Sequence, residues 1–449
     1  MSGRERPQLT SPLTSLEICA GAGGQAVGLH SAGFDHLGLV EWDPNAVDTL
    51  RANVGDWPGW DEARARSLKP MDVKEFLKSD ERLDLKVGRG DLDLLAGGVP
   101  CPPFSLAGKR LGQDDERDLF PAALDIIGDL LPRAVMIENV RGILEPPEVF
   151  IEYRRQILGD LRDLGYVVPE IKKSWSAAEQ DRVMRKVWRR IDASNFGVPQ
   201  LRPRAILVAI HEDALGSLQF VWPVKRLGKR ATVVDELSAS MEARCRKFWK
   251  KNMFGERPKP GERTGQQVYQ EWLKKASDAA AQGKGVAPTL VGGSKKHGGA
   301  DLGPTRAKRA WGVLGVDGMG VANDPENCDP ERDLFRPAGP MLTVEQAAII
   351  QGFPAEWKFQ GRKTAQYRQV GNAFPPPVAE AVGRAIAAVL RPENRSELLR
   401  GYELDLADSA AETETLEQME LPVKVSAGPR INTAPPLVNR RSNLVRTGN

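Results

Sequence analysis

A strand, a glycine turn and a helix follow one another in LTSLEICAGAGGQAVGLHSAGF (residues 13–34), and no other feature constrains the fold of this chain as much. The rhythm then repeats. HLGLVEWD (36–43) reads as a strand, PNAVDTLRAN (44–53) as a helix and DLDLLAGG (91–98) as a strand running into a loop. DLFPAALDIIGDLLP (118–132) reads as a helix, and AVMIENV (134–140) and RAILVAI (204–210) as strands. Short apolar, β-branched strands alternating with helices predict an α/β, doubly wound and mostly parallel sheet with both faces covered. In such a fold the functional loops lie at the carboxyl ends of the strands.

The rhythm stops at Val221-Trp222-Pro223, and there the charge changes. Lys225 to Arg309 holds 20 Lys+Arg against 8 Asp+Glu, a balance of +12 in a chain whose net charge is only +3, which leaves −9 for the remainder. That asymmetry points to one segment facing a polyanion, the alternative being a lysine-rich solvated surface. Within it GERPKPGERTG and VGGSKKHGGADLGP read as loops around a helix, QVYQEWLKKASDAAA. Periodicity returns in LTVEQAAIIQGF and in PPPVAEAVGRAIAAVLR, a helix started by proline. The expected organisation is an arm (1–14), a first domain (15–222), a smaller irregular domain (223–334), a segment returning to the first (335–392) and a flexible acidic and polar tail (393–449).

No apolar run approaches the roughly 20 residues that span a bilayer, and no signal-peptide pattern opens the chain. Four scattered cysteines (Cys19, Cys101, Cys245, Cys328) supply neither a disulfide framework nor a zinc pattern, and the four histidines have no metal-ligand spacing. A cytoplasmic, metal-free, monomeric protein is the expectation.

Three loops carry chemistry. Ala20-Gly21-Ala22-Gly23-Gly24 lets the backbone turn tightly towards a ligand, although a plain structural turn explains it equally well. Glu41 ends the next strand, where a carboxylate can accept from ribose hydroxyls; Trp42 offers a stacking face and Asp72 an acceptor for an adenine amino group. In Gly97-Gly98-Val99-Pro100-Cys101-Pro102-Pro103-Phe104-Ser105, prolines frame a single thiol. A lone cysteine is more often a small buried hydrophobe, yet this frame excludes a buried strand interior and suits a nucleophile. Glu138, in Ile137-Glu138-Asn139-Val140, ends another strand. In a buried pocket it is a candidate acid for a ring nitrogen, with a capping or salt-bridged glutamate as the alternative.

The ordered set AGAGG, EWD, PCPPFS, ENV, QLRPR and GNAFPPPVA resembles the cytosine-C5 DNA methyltransferases of bacterial restriction–modification systems, over residues 15–222 and 335–392. The resemblance implies the doubly wound sheet of the S-adenosylmethionine-dependent methyltransferases, with 223–334 as the variable target-recognition region. It implies double-stranded DNA as partner, S-adenosyl-L-methionine as cofactor (S-adenosyl-L-homocysteine as product), a flipped cytosine as target and a functional pairing with a restriction endonuclease. Cys101 would add to cytosine C6, Glu138 would grip N3 and the exocyclic amine, Arg204 would sit by O2 and Arg202 would hold phosphate, with Pro100 and Phe104 positioning the loop. Gly21, Gly23, Glu41, Trp42, Asp72, Val73, Leu119, Asn372 and Val378 would hold the cofactor. Lys295, Lys296, Arg306, Lys308 and Arg309 are candidates for phosphate contacts.

The chain departs from the family in having Cys19 where phenylalanine is usual and Pro102 where many members have glutamine, and in an apparent polar, helical insertion from Ser174 to Lys186. An RNA cytosine methyltransferase of the same fold and an inactive DNA-binding relative are the competing readings.

Overall fold

The computed structural model describes residues 5–100, 118–292 and 300–406. Six strands, β1 (Leu13–Ile18), β2 (Phe34–Val40), β3 (Leu94–Gly97), β4 (Ala134–Val140), β5 (Trp188–Asp192) and β6 (Pro203–Ile210), form one sheet in the order β2-β1-β3-β4-β6-β5. β2, β1, β3 and β4 are parallel, and β6 runs antiparallel to both β4 and β5. The chain leaves β1 in one direction to β2 and returns on its other side to β3. The crevice between the ends of β1 and β3 is therefore the topological switch point, where ligands of open α/β sheets bind.

Alternate residues of the central strands go to opposite faces, as the pleat requires. Leu95, Val135 and Ile137 enter one buried cluster, whereas Leu94, Ala96 and Met136 enter another. Both faces are thus covered, which is why these strands read as continuous apolar runs.

Helices α1 (Gly24–Ser31) and α2 (Pro44–Arg51) follow β1 and β2. α3 (Phe120–Leu130) joins β3 to β4, and α4 (Pro147–Asp163) and α5 (Ala177–Met184) lie between β4 and β5. α5 is the apparent insertion. Its N-terminus is closed by a Ser176/Glu179 capping box, and Asp181 takes the fully buried Arg154 in an ion pair at 2.8 Å.

Beyond the sheet come α6 (Val233–Arg246), α7 (Gly265–Ala281), α8 (Thr305–Val313), α9 (Val344–Gln351), α10 (Lys363–Asn372) and α11 (Pro376–Leu390). Val233, Leu237, Met241, Trp272 and Trp311 of the basic segment share one hydrophobic cluster with Leu39 and Leu50 of the first segment and Ala347, Ile350 and Tyr367 of the returning one. α11 lies along α1, and Gly28 admits it because a Cβ there would stand 2.3 Å from the Pro376 carbonyl oxygen.

Two boundaries differ from the sequence expectation. The tail does not begin at 393: Arg395–Leu399 is helical and β8 (Tyr402–Leu404) pairs antiparallel with β7 (Pro223–Arg226). Leu398 and Tyr402 are buried, so two apolar anchors, too sparse to give a periodic signal, fix this stretch. The same pairing takes residues 223–226 out of the irregular segment. Among the described residues no helix is long and apolar enough to cross a membrane.

Candidate active site

The turn after β1 is shaped by close approaches rather than by general flexibility. Gly21 and Gly23 have φ of 55° and 84°, where side chains are strained. They differ in what surrounds them. A Cβ on Gly21 would meet nothing within 4 Å, whereas one on Gly23 would lie 2.7 Å from the Trp357 ring and one on Gly24 2.3 Å from the Phe374 carbonyl oxygen. Gly21 thus faces open space, and Gly23, expected at the cofactor, is spent on packing. Trp357, which sequence reasoning missed, also donates from Nε1 to the Ala22 carbonyl at 3.0 Å and fixes the turn.

Glu41, largely buried, ends β2 and ties this turn to the next helix. Its Oε2 accepts from the Gly21 amide (2.7 Å) and its Oε1 from the Asp43 amide (2.8 Å). Burial raises its pKa, and these amide bonds oppose the rise. The Met71 amide donates to the Glu41 carbonyl (2.8 Å), which brings Asp72 to the same place. Asp72 is exposed, with Oδ1 accepting from the Lys74 amide at 3.0 Å. Trp42 is 75 % exposed, an unusual state for an indole. Glu41 keeps acceptor capacity beside the open face of Gly21, a free indole face stands next to it, and a second carboxylate lies alongside. This donor and acceptor set fits an adenosine-bearing group. Cys19, at φ 51°, faces the same carboxylates; burial first, then Glu41 and Asp72, hold its thiol far above the usual range, so it is no thiolate.

The second half of the site lies one strand away. Cys101 and Phe104 lie outside the described residues, but their anchorage does not. The Val99 carbonyl accepts from Asn139 Nδ2 at 2.8 Å, and the Pro100 carbonyl accepts from the Leu119 amide at 3.3 Å. Leu119 therefore serves as the far anchor of the Cys101 loop and the N-cap residue of α3. Glu138 reaches over this loop: a Cβ on Gly98 would lie 3.4 Å from its Oε2.

Glu138 and Arg204 meet because β4 and β6 pair antiparallel. Glu138 stands opposite Ile206, so Arg204, two residues along, shares its face. Arg204 Nε donates to Glu138 Oε1 at 2.7 Å, with both side chains nearly buried. Burial pushes the Glu138 carboxyl above the ordinary range, and Arg204 and Arg202 only partly offset this. A carboxyl held so, with one oxygen on a guanidinium and the other towards the loop, can present a proton to a basic ring nitrogen.

Besides Gly23, three expected roles change. Arg202 is 1 % exposed and holds no phosphate. Its Nη1 donates to the Leu290 carbonyl (2.7 Å) and its Nη2 to those of Gly371 and Ala373 (2.8 Å each). Two of these buried carbonyls depend on the guanidinium fork, and the third, that of Ala373, also accepts from Gln351 Nε2 at 2.7 Å. Val378 is buried in the core on the inward face of α11. Lys308 is neutralised by Asp301 at 2.8 Å, while Arg306 and Arg309 stay exposed on α8. Val73 is buried below Asp72, and Asn372 is exposed with Gly292 packed on its Oδ1. Lys295 and Lys296 lie outside the described residues. Gln200, unremarked in the sequence, accepts from the Leu290 amide (2.8 Å) and donates to Gln351 (2.6 Å), seating 287–290 on the frame beside Arg202.

Comparison with known proteins identifies the family. Residues 13–388 match the sequence model of the C-5 cytosine-specific DNA methylases. The chain is 46 % identical over 384 residues to the type II methyltransferase M.NaeI of Lentzea aerocolonigenes (85 % of this chain, 76 % of the relative). It is 40 % identical over 385 residues to M.NgoMIV of Neisseria gonorrhoeae (85 % and 99 %), and 30 % over 396 residues to M.Eco47II of Escherichia coli (85 % and 80 %). With a switch-point crevice beside the glycine turn and a family match across most of its length, the chain is a member of the C-5 cytosine-specific DNA methylase family.

Proposed function

We propose that the chain methylates C5 of a flipped-out cytosine in a specific duplex DNA motif, through covalent addition of Cys101. The observation that carries this reading is the Glu138–Arg204 pair poised over the loop that leads to Cys101, one strand from the Gly21–Glu41 crevice. Cytosine is a poor nucleophile at carbon. The Cys101 thiolate adds to C6 while Glu138 gives its proton to N3 and Arg204 steadies the pyrimidine oxygen, which places electron density on C5. S-adenosyl-L-methionine, when bound, supplies an electrophilic methyl group. Loss of the C5 proton to solvent water and expulsion of the thiolate from C6 then restore the aromatic ring, and Glu138 recovers the N3 proton.

Glu41, Asp72 and the Trp42 face would hold the adenosine part, with Gly21 giving it room. Residues 15–230 and 335–404 form the catalytic frame in this reading, and 231–334 carry target recognition. The type II names of the relatives support a role as the modification partner of a restriction endonuclease, in the cytoplasm with its DNA.

Bisulfite or nanopore sequencing of DNA from cells expressing the chain, with Cys101→Ala as control, tests the proposal. Methylated cytosine in one short motif, absent from the control, is the expected result. Unmodified DNA in the presence of folded protein would refute it.

A further inference from the structure

The basic run Lys225-Arg226-Leu227-Gly228-Lys229-Arg230 does not lie among the helices of the inserted segment. Its first two residues end β7, and it lines a cavity of about 420 Å³ whose other wall is Ser194, Asn195 and Gly197 of the turn after β5. That turn follows β5, whose last residue, Asp192, stands opposite Pro203 at the start of β6. The cavity therefore opens on the edge of the sheet that carries Glu138 and Arg204. β5 is separated from β4 by one strand, so the sideways step is roughly 10 Å.

The four cations are not equivalent. Lys225 is paired with Glu403 at 2.8 Å and Lys229 with Asp235 at 3.1 Å. Arg226 and Arg230 have no carboxylate partner among the described residues. Arg230 is held by a hydroxyl instead, donating to Ser194 Oγ at 2.6 Å. The Arg226 guanidinium lies against Gly197, 3.6 Å from where a Cβ would be. One acid, Glu236, also lines the cavity. Two guanidinium forks that form no ion pair among the described residues, facing a hydroxyl and an exposed Asn195 across a concave surface with Glu236 as its one acid, are suited to bidentate binding of a phosphate diester.

We propose that Arg226 and Arg230 clamp a backbone phosphate of duplex DNA outside the recognition motif, a contact that positions the duplex without reading its sequence. The inference rests on the DNA reading above and adds a site to it. Its direction from Glu138 makes it a flank contact, because the base to be methylated occupies the space over β4 and β6. The clamp belongs to the catalytic frame, so it stays in place whatever motif the inserted segment selects.

The test is the salt dependence of DNA binding by the full chain, measured by fluorescence anisotropy on a duplex carrying the methylated motif and on an unrelated duplex. Variants are Arg226→Gln with Arg230→Gln, the matching lysine pair, and Lys274→Gln, which removes a surface cation already paired with Asp278. Each phosphate contact contributes about 0.9 to the slope of log K against log salt. The glutamine pair should lower the slope by about 0.9 and weaken both duplexes about fivefold near 0.15 M salt. The lysine pair should restore most of the slope, and Lys274→Gln should match the wild type. A glutamine pair that keeps the wild-type slope, or that weakens only the duplex bearing the motif, overturns the clamp. Should the wild-type chain neither bind nor methylate duplex DNA, the proposed function falls and the clamp with it.

Discussion

Replacing Arg202 with methionine removes a buried guanidinium and leaves the carbonyls of Leu290 and Gly371 without the donor they have in the folded protein, while that of Ala373 keeps Gln351 Nε2 at 2.7 Å. Each hydrogen bond to a charged group is worth about 1.5–3 kcal/mol. The loss is offset in part because the variant no longer desolvates a cation, so the net cost is about 3–5 kcal/mol, the range for breaking a buried polar cluster by removing one partner. With an unfolding entropy of roughly 2.1 cal/mol/K per residue, the compact unit of residues 1–405 should lose about 4–6 °C of Tm. Differential scanning calorimetry and the circular dichroism melt, with urea titration at 25 °C as a check, measure this directly. Arg202→Lys should recover part of the loss, since an ammonium reaches some but not all of the three carbonyls. A methionine variant that melts with the wild type, yet loses DNA affinity with a shallower salt slope, would refute the bracing role and return Arg202 to phosphate.

Other consequences are more local. Glu138→Gln should lower single-turnover methylation by 10²–10⁴-fold; because burial raises the Glu138 pKa, the proton-donating form persists to higher pH than an ordinary carboxyl, and wild-type activity should fall as pH rises through that raised value while the variant lacks this limb. Gly21→Ala should weaken S-adenosylmethionine binding, read by calorimetric titration, with only about 1–2 kcal/mol of backbone strain. Gly24→Ala, blocked by the Phe374 carbonyl at 2.3 Å, should instead appear as a loss of Tm and soluble yield. Tyr402→Ala empties a buried site behind the β7–β8 pair and should cost about 3–5 kcal/mol in urea unfolding; an unchanged midpoint would mean that residues 393–405 contribute nothing to the fold.

The sheet was largely readable because β1, β3, β4 and β6 are short apolar runs bounded by glycine, proline or charge, the mark of strands buried on both faces. β5 escaped notice: Trp188-Arg189-Arg190-Ile191-Asp192 is more than half polar, as an edge strand with one solvated flank can be. α6 escaped too, because Arg244 shares its inward face with Leu237 and Met241 and breaks the apolar stripe. At the site, the residue types at the strand ends announced Glu41 and Glu138, since an acid closing an apolar strand is conspicuous. The Glu138–Arg204 contact depends on a pairing register the sequence does not state. Arg202 was misassigned for a related reason. A guanidinium suits phosphate and carbonyl alike, and its carbonyls come from residues 88 to 171 positions away. Trp357 was invisible because its partner, the Ala22 carbonyl, lies 335 positions upstream.

Gln200 and Arg202 hold the inserted segment by the amide of Leu290 and by its carbonyl, that is, by main-chain atoms that every residue type possesses. Such a grip is blind to side-chain identity. An exchange of residues 231–286 for a foreign stretch has to deliver its backbone to the same height at Ala287, where the Leu201 amide donates to the carbonyl at 2.8 Å, and to cover the apolar face that Val233, Leu237, Met241 and Trp272 now share with Leu39 and Leu50. The point of re-entry is thus fixed mechanically, and the content of the exchange is constrained by the core it covers rather than by this grip. A graft that preserves the path from Ala287 to Leu290 should assemble on this frame, and one that shortens it by a single residue should not.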